Sequence, residues 1–170
     1  MDVQTSSYLA TLATVATTFV GFAALLVGLR QAKGNRLTSY DAYFAESYIE
    51  LGFLVTVAAL IPPLVALFGW PASVLWRVSS VISAVPILLF VVRVPARRRA
   101  ATGMSVPRPI KVVLAIQGLA GVVLLLAAAV QPQSRGAVYA TAVTVVLVCA
   151  GIAYLVALQV SRPEIEGRGN

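Results

Sequence analysis

The sequence predicts an all-α fold, a polytopic transmembrane helical bundle of five spans with the N-terminus outside and the C-terminus cytoplasmic. Three observations lead there. The 170 residues are 59% hydrophobic and only 11% charged, with mean hydropathy +0.90, whereas soluble domains carry about 25% charged residues. Apolar residues fall in runs of roughly 20, the length a helix needs to cross about 30 Å of hydrocarbon. The cations gather at alternate ends of those runs: one set holds Arg30, Lys33, Arg36, the six of segment 93–111, Arg162 and Arg168, eleven in all, and the other only Arg77 and Arg135. The positive-inside rule assigns the first set to the cytoplasm. Adding or dropping one span would mix the two sets, so the partition also supports the count of five.

The chain reads as a single membrane domain, 1–170. Span one covers about 7–29. Its N-terminal side lacks the basic region of a cleavable signal, and its apolar stretch exceeds the roughly 7–15 residues of a signal core, so it is expected to remain as a span. At helical spacing Thr11, Thr14, Thr17, Thr18 and Gly21 share one side with other small residues, while bulky side chains occupy the other. A small, hydroxyl-bearing face permits close helix packing, within or between subunits. A hydroxyl-lined path through a homo-oligomer is the sharper alternative.

Segment 37–48 is expected to form an interfacial helix, with its tyrosines at headgroup level. Glu46 and Glu50 are four apart and are expected to pair with nearby arginines; in a homo-oligomeric pore they would instead ring the cytoplasmic mouth. Span two, about 49–68, contains Pro62 and Pro63, which remove two backbone donors and predict a kink or break. Span three, about 72–92, aligns Arg77 and Ser80 on one stripe with Ser83 close by. Arg77 near the outer end is expected to snorkel to the headgroups, the alternatives being a helix-clamping hydrogen bond or part of an anion path.

The segment 93–111, RVPARRRAATGMSVPRPIK, contains six cations, three prolines and no carboxylate. Its prolines predict a basic cytoplasmic loop in which Arg93, Arg97, Arg98, Arg99, Arg108 and Lys111 contact anionic lipid headgroups, each contributing about 1 kcal/mol of attraction. Span four, about 110–130, presents Gln117, Ala120, Gly121, Leu124 and Ala128 on a narrow face, and span five, about 137–160, places Thr141 and Thr144 on a comparable stripe. A shift of 61 residues lays the hairpin of spans two and three over that of spans four and five, pairing Thr56 with Gln117, Ser80 with Thr141 and Ser83 with Thr144; a parallel repeat is the expectation this raises.

The chemistry is defined largely by what is missing. There is no histidine, which removes histidine-ligated haem, ordinary zinc catalysis and histidine-based nucleophile systems. All six carboxylates, Asp2, Asp41, Glu46, Glu50, Glu164 and Glu166, lie at span ends or in loops, so midplane proton coupling has no candidate. No phosphate-binding glycine motif occurs. Cys149 reads as a small core residue. The expectation is a protein without enzymatic activity, metal or cofactor. The net charge of +7 is topogenic rather than spread over an even basic surface, so no nucleic acid is expected. In being small, Ala/Val-rich and Arg-biased, the chain resembles bacterial inner-membrane proteins. The leading functional expectation is a structural or accessory membrane protein that self-associates or joins a larger membrane complex. The alternative is a small homo-oligomeric channel or transporter lined by the threonine face of span one or the Arg77 stripe, and a weaker third is a lipid or partner sensor acting through the basic loop.

Overall fold

In the computed structural model, residues 3–32, 39–103, 105–130 and 134–160 are described. They form five helices in succession: α1 (Val3–Ala32), α2 (Ser39–Ala66), α3 (Ala72–Thr102), α4 (Arg108–Val130) and α5 (Arg135–Val160). All five are long and apolar enough to cross a membrane. Many of their residues are β-branched valines and isoleucines, poor helix formers in water. In hydrocarbon the backbone has no solvent to bond, so a helix that pairs its own N–H and C=O groups is favoured whatever the side-chain propensity.

Each helix packs against the next in sequence, and α5 returns to touch α1, α2 and α3 as well. The buried interior runs through Leu9, Leu12 and Ala16 of α1, Leu51, Val55 and Ala59 of α2, Ile87 of α3, Leu124 of α4 and Val143 and Val146 of α5. Small residues set the closest approaches. A side chain at Gly52 would run into Val20 of α1, and one at Gly121 would lie 2.9 Å from Leu88 of α3.

The connections are made by specific backbone chemistry. After Ala66 the chain tightens into successive i→i−3 bonds, Leu67 to Leu64, Phe68 to Val65 and Gly69 to Ala66, and Gly69 supplies the left-handed φ of 68° that turns it towards Pro71. Pro71 stands at the N-cap of α3, its carbonyl accepting from Val74 and Leu75. At the other end of α3, Gly103 takes φ 67° and its N–H bonds to the Arg99 carbonyl, closing the helix in the left-handed manner glycine allows.

Three expectations from sequence change here. The interfacial helix is not separate: α2 runs unbroken from Ser39 to Ala66. Its Tyr43 and Tyr48 are buried rather than displayed to headgroups, Tyr48 making ring contacts with Phe44, Phe19 of α1 and Tyr154 of α5. Pro62 and Pro63 do not end α2, which continues to Ala66. The basic segment is helical up to Thr102, through Pro95, as α3 has already continued through Pro86. A proline deletes one donor and crowds one turn but does not forbid a helix whose flanking turns are anchored from outside. On either side of Pro95, Val94 is buried with its carbonyl accepting from the Tyr43 hydroxyl at 3.2 Å, and Arg97 is tied to α2. At about 1.5 Å per residue, the 31 residues of α3 extend roughly 46 Å, well beyond a 30 Å hydrocarbon core, so its last turns can carry arginines clear of the lipid tails.

Candidate functional site

The polar side chains of this bundle sort by where their protons go. On α1, Thr11, Thr14, Thr17 and Thr18 each donate to the carbonyl four residues earlier, at 2.8–3.0 Å. A hydroxyl satisfied by its own helix can face lipid without penalty, and these threonines do face out, as does Gly21. Leu9, Leu12, Ala13, Ala16 and Ala23 occupy the inner side of α1 instead. Within this chain the small, hydroxyl-bearing face therefore does not serve packing. The contact between Thr17 and Thr56 of α2, 3.4 Å between hydroxyl oxygens, is a close approach rather than a bond, because both protons are already committed to Ala13 and Gly52.

A second set links helices. Proline at position 62 has no N–H, so the Ala58 carbonyl, four residues earlier, loses its partner within α2. The Tyr139 hydroxyl of α5 donates to it at 2.5 Å and accepts in turn from Ser83 of α3 at 2.6 Å. One phenol thus repairs the proline and joins three helices. Its ring packs on Trp76 with centroids 5.6 Å apart. Tyr8 of α1 and Thr144 of α5 are joined similarly at 2.8 Å, with Thr144 donating to Ala140 and leaving Tyr8 as the donor between them. Thr141 is exposed, so it and Thr144 do not form a common polar line; the buried face of α5 is built on Tyr139, Val143, Val146, Cys149 and Ala150.

Arg77 does not simply reach for headgroups. Its Nε donates at 3.2 Å to the Ala128 carbonyl, one of the last four of α4 and so without an intrahelical partner. A cation at a helix C-terminus also meets the negative end of the dipole. This is the helix-clamping alternative. Ser80 lies buried near it in sequence, and neither Ser80 nor Ser83 is exposed.

At the opposite end of α3, Arg97 forks between the two carboxylates of α2, donating from Nη2 to Glu46 at 2.7 Å and from Nη1 to Glu50. Spacing of four on one helix puts both acids on the same face, where one planar guanidinium spans them. The structural pairing expected of Glu46 and Glu50 is therefore made, with Arg97 as the partner. Arg93, Arg99, Arg108 and Lys111 are exposed at this end. Arg98 is not. It is 5% exposed and turned into the bundle, a correction to its expected place among the headgroup contacts. Successive residues of a helix point about 100° apart, so the three arginines 97–99 meet three surroundings.

Arg98 lines a cavity of about 50 Å³ between α2, α3, α4 and α5, together with Tyr43, Ser47, Gln117 and a largely apolar wall. Gln117 is 1% exposed, and its Nε2 has no hydrogen-bond partner; neither does the buried Ser47 hydroxyl. The burial of Gln117 follows the narrow face read for span four, since Ala120, Gly121, Leu124 and Ala128 are buried with it. Ser47, Tyr8 and Tyr139 were not singled out from sequence. Among the described residues no group of three or more histidines, cysteines and carboxylates is placed to hold a metal. Comparison with protein-family models, curated proteins and solved structures gave no match.

Proposed function

We propose that this is an integral protein of the bacterial inner membrane with a structural or accessory role, assembled through α1 into a homo-oligomer or a larger membrane complex, with its N-terminus outside and its C-terminus cytoplasmic. The observation that carries the reading is the outward face of α1. Only 24% of the most apolar window of that helix is buried in the bundle, against 39–44% for the other four, and its exposed side sets Thr11, Thr14, Thr18 and Gly21 among the larger Val15, Phe22 and Leu25. A Cβ at Gly21 or Gly28 would meet nothing within 4 Å. In lipid, association is driven by close backbone approach and van der Waals contact, and small residues on an otherwise uncovered helix favour it. The division of eleven cations against two supports the orientation.

The test is intermolecular crosslinking of the full chain in lipid. A cysteine at Thr14 or Gly21 is expected to form disulfide-linked dimers, while one at Leu119, exposed on α4, is not. Gly21→Leu is expected to lower the dimer fraction several-fold. A strictly monomeric protein that retains no partner on purification would sink the proposal. Flux through reconstituted liposomes addresses the channel reading: a selective leak lost in Thr18→Leu would replace the accessory role by transport.

A further inference from the structure

The cavity at the arginine-rich end of the bundle is lined by buried hydrogen-bond donors that lack an acceptor. Gln117 Nε2 and Ser47 Oγ are buried and lack hydrogen-bond partners, Arg98 brings a guanidinium to the same wall, and no carboxylate is among the described lining residues. A serine in a helix can turn its proton to a carbonyl of the preceding turn, as the α1 threonines do. A glutamine amide has no comparable internal outlet, and an unmet donor in a membrane interior is costly. Gln117 is thus the residue whose surroundings are incomplete. About 50 Å³ holds roughly four water-sized groups, the size of one carboxylate or phosphate head. Apart from Ser47, the partly exposed lining residues, Phe44, Ile110 and Ala153, are apolar, which suits a hydrocarbon chain continuing outward from such a head.

We propose that this cavity binds the anionic oxygens of a carboxylate or phosphate, with Gln117 and Ser47 donating hydrogen bonds and Arg98 supplying positive charge. The ligand class is an acyl-chain amphiphile with an anionic head, which sets this site apart from the exposed cations Arg93, Arg99, Arg108 and Lys111, whose contact with a lipid surface needs no cavity. The site is contained within one chain and does not depend on self-association.

The test is calorimetric titration of the full chain in neutral detergent with three probes: lysophosphatidic acid, the monoacylglycerol of the same chain length, and inorganic phosphate. Saturable binding of lysophosphatidic acid at one per chain is expected, with the neutral monoacylglycerol at least tenfold weaker. Gln117→Met, which keeps the volume and deletes the donors, is expected to weaken binding about ten- to hundredfold, as the loss of a hydrogen bond to a charged group does. Ser47→Ala, a milder change that preserves the fold should Gln117→Met disturb it, is expected to weaken binding severalfold. If inorganic phosphate alone binds and shows the same dependence on Gln117 and Ser47, the site stands with a free anion as its source. Absence of saturable binding by every probe, or binding indifferent to both substitutions, overturns the proposal and leaves water as the occupant.

Discussion

Tyr139→Phe isolates the hydroxyl that bridges α2, α3 and α5. The substitution keeps the ring against Trp76 and deletes two hydrogen bonds, to the Ala58 carbonyl and from Ser83. Their costs differ. Ser83 can redirect its proton to the carbonyl four residues earlier, that of Ser79, so its loss is small. Ala58 cannot be rescued within its helix, because residue 62 is proline and has no N–H to offer. A buried carbonyl left unpaired costs about 1–3 kcal/mol, while interhelical hydrogen bonds in membrane proteins average about 0.6 and reach about 1.7 kcal/mol. We therefore expect Tyr139→Phe to destabilise the bundle by about 1–2 kcal/mol. Pro62→Ala restores an N–H for Ala58, so Tyr139→Phe in that background is expected to cost at least about 0.5 kcal/mol less, a coupling measurable in a double-mutant cycle. Reversible unfolding in mixed detergent micelles, followed by tryptophan fluorescence and far-UV circular dichroism, supplies the four free energies. Equal cost in the two backgrounds would refute the repair of the proline by the phenol.

Two further outcomes follow from the packing. Gly52→Ala drives a methyl group into Val20 and is expected to cost about 1–3 kcal/mol as an overpacked contact. Val20→Ala should restore most of that loss in the double variant, and an additive double mutant in the same unfolding assay would show that α1 and α2 do not meet there. Arg97→Gln removes the cation between Glu46 and Glu50, whose side chains are 68% and 38% exposed. Partial exposure limits the expected loss to about 0.5–1 kcal/mol, shrinking as salt rises; a loss independent of ionic strength would contradict an ion-pair origin.

The fold class and the number of apolar helices were legible because they rest on composition and run length, and hydrocarbon leaves the backbone few alternatives. The inner face of α4 was legible for a related reason. Gln117 is the polar outlier of that span, and a polar group in an apolar helix turns to protein, carrying Ala120, Gly121, Leu124 and Ala128 inward with it. On α1 and α5 the same logic leaves the buried side undecided. Threonine and serine can be satisfied by their own helix, so a hydroxyl stripe does not say which side is buried, and Thr11, Thr14, Thr18 and Thr141 all face out. Tyr139, which the stripes of small and hydroxyl residues pass over, carries the central hydrogen bonds of the core. The proposed 61-residue repeat meets the same difficulty, since paired Ser80 and Thr141 have opposite exposure. In the basic segment, reading Pro95 as a helix breaker erased the helical phase, and with it the distinction between Arg97, Arg98 and Arg99.

Prolines within α2 and α3 and polar groups within the bundle are two sides of one allocation. Each proline frees a carbonyl, and each buried donor needs an acceptor, so a membrane bundle gains specificity where the two are matched across helices. Tyr139 and the Ala58 carbonyl form such a match. Arg77 and the end of α4 form another, there with a carbonyl freed by the helix terminus. Once these are assigned, Gln117 remains as the donor without an acceptor, while the hydroxyls of Ser47 and Ser79, also unpartnered, can close on their own helices. Apolar packing alone would have favoured leucine or alanine at position 117, since replacing an unsatisfied buried polar group by an apolar one of similar shape is neutral or stabilising. If Gln117→Met raises stability in the absence of any anion while weakening binding of one, the amide is present for the ligand and not for the fold.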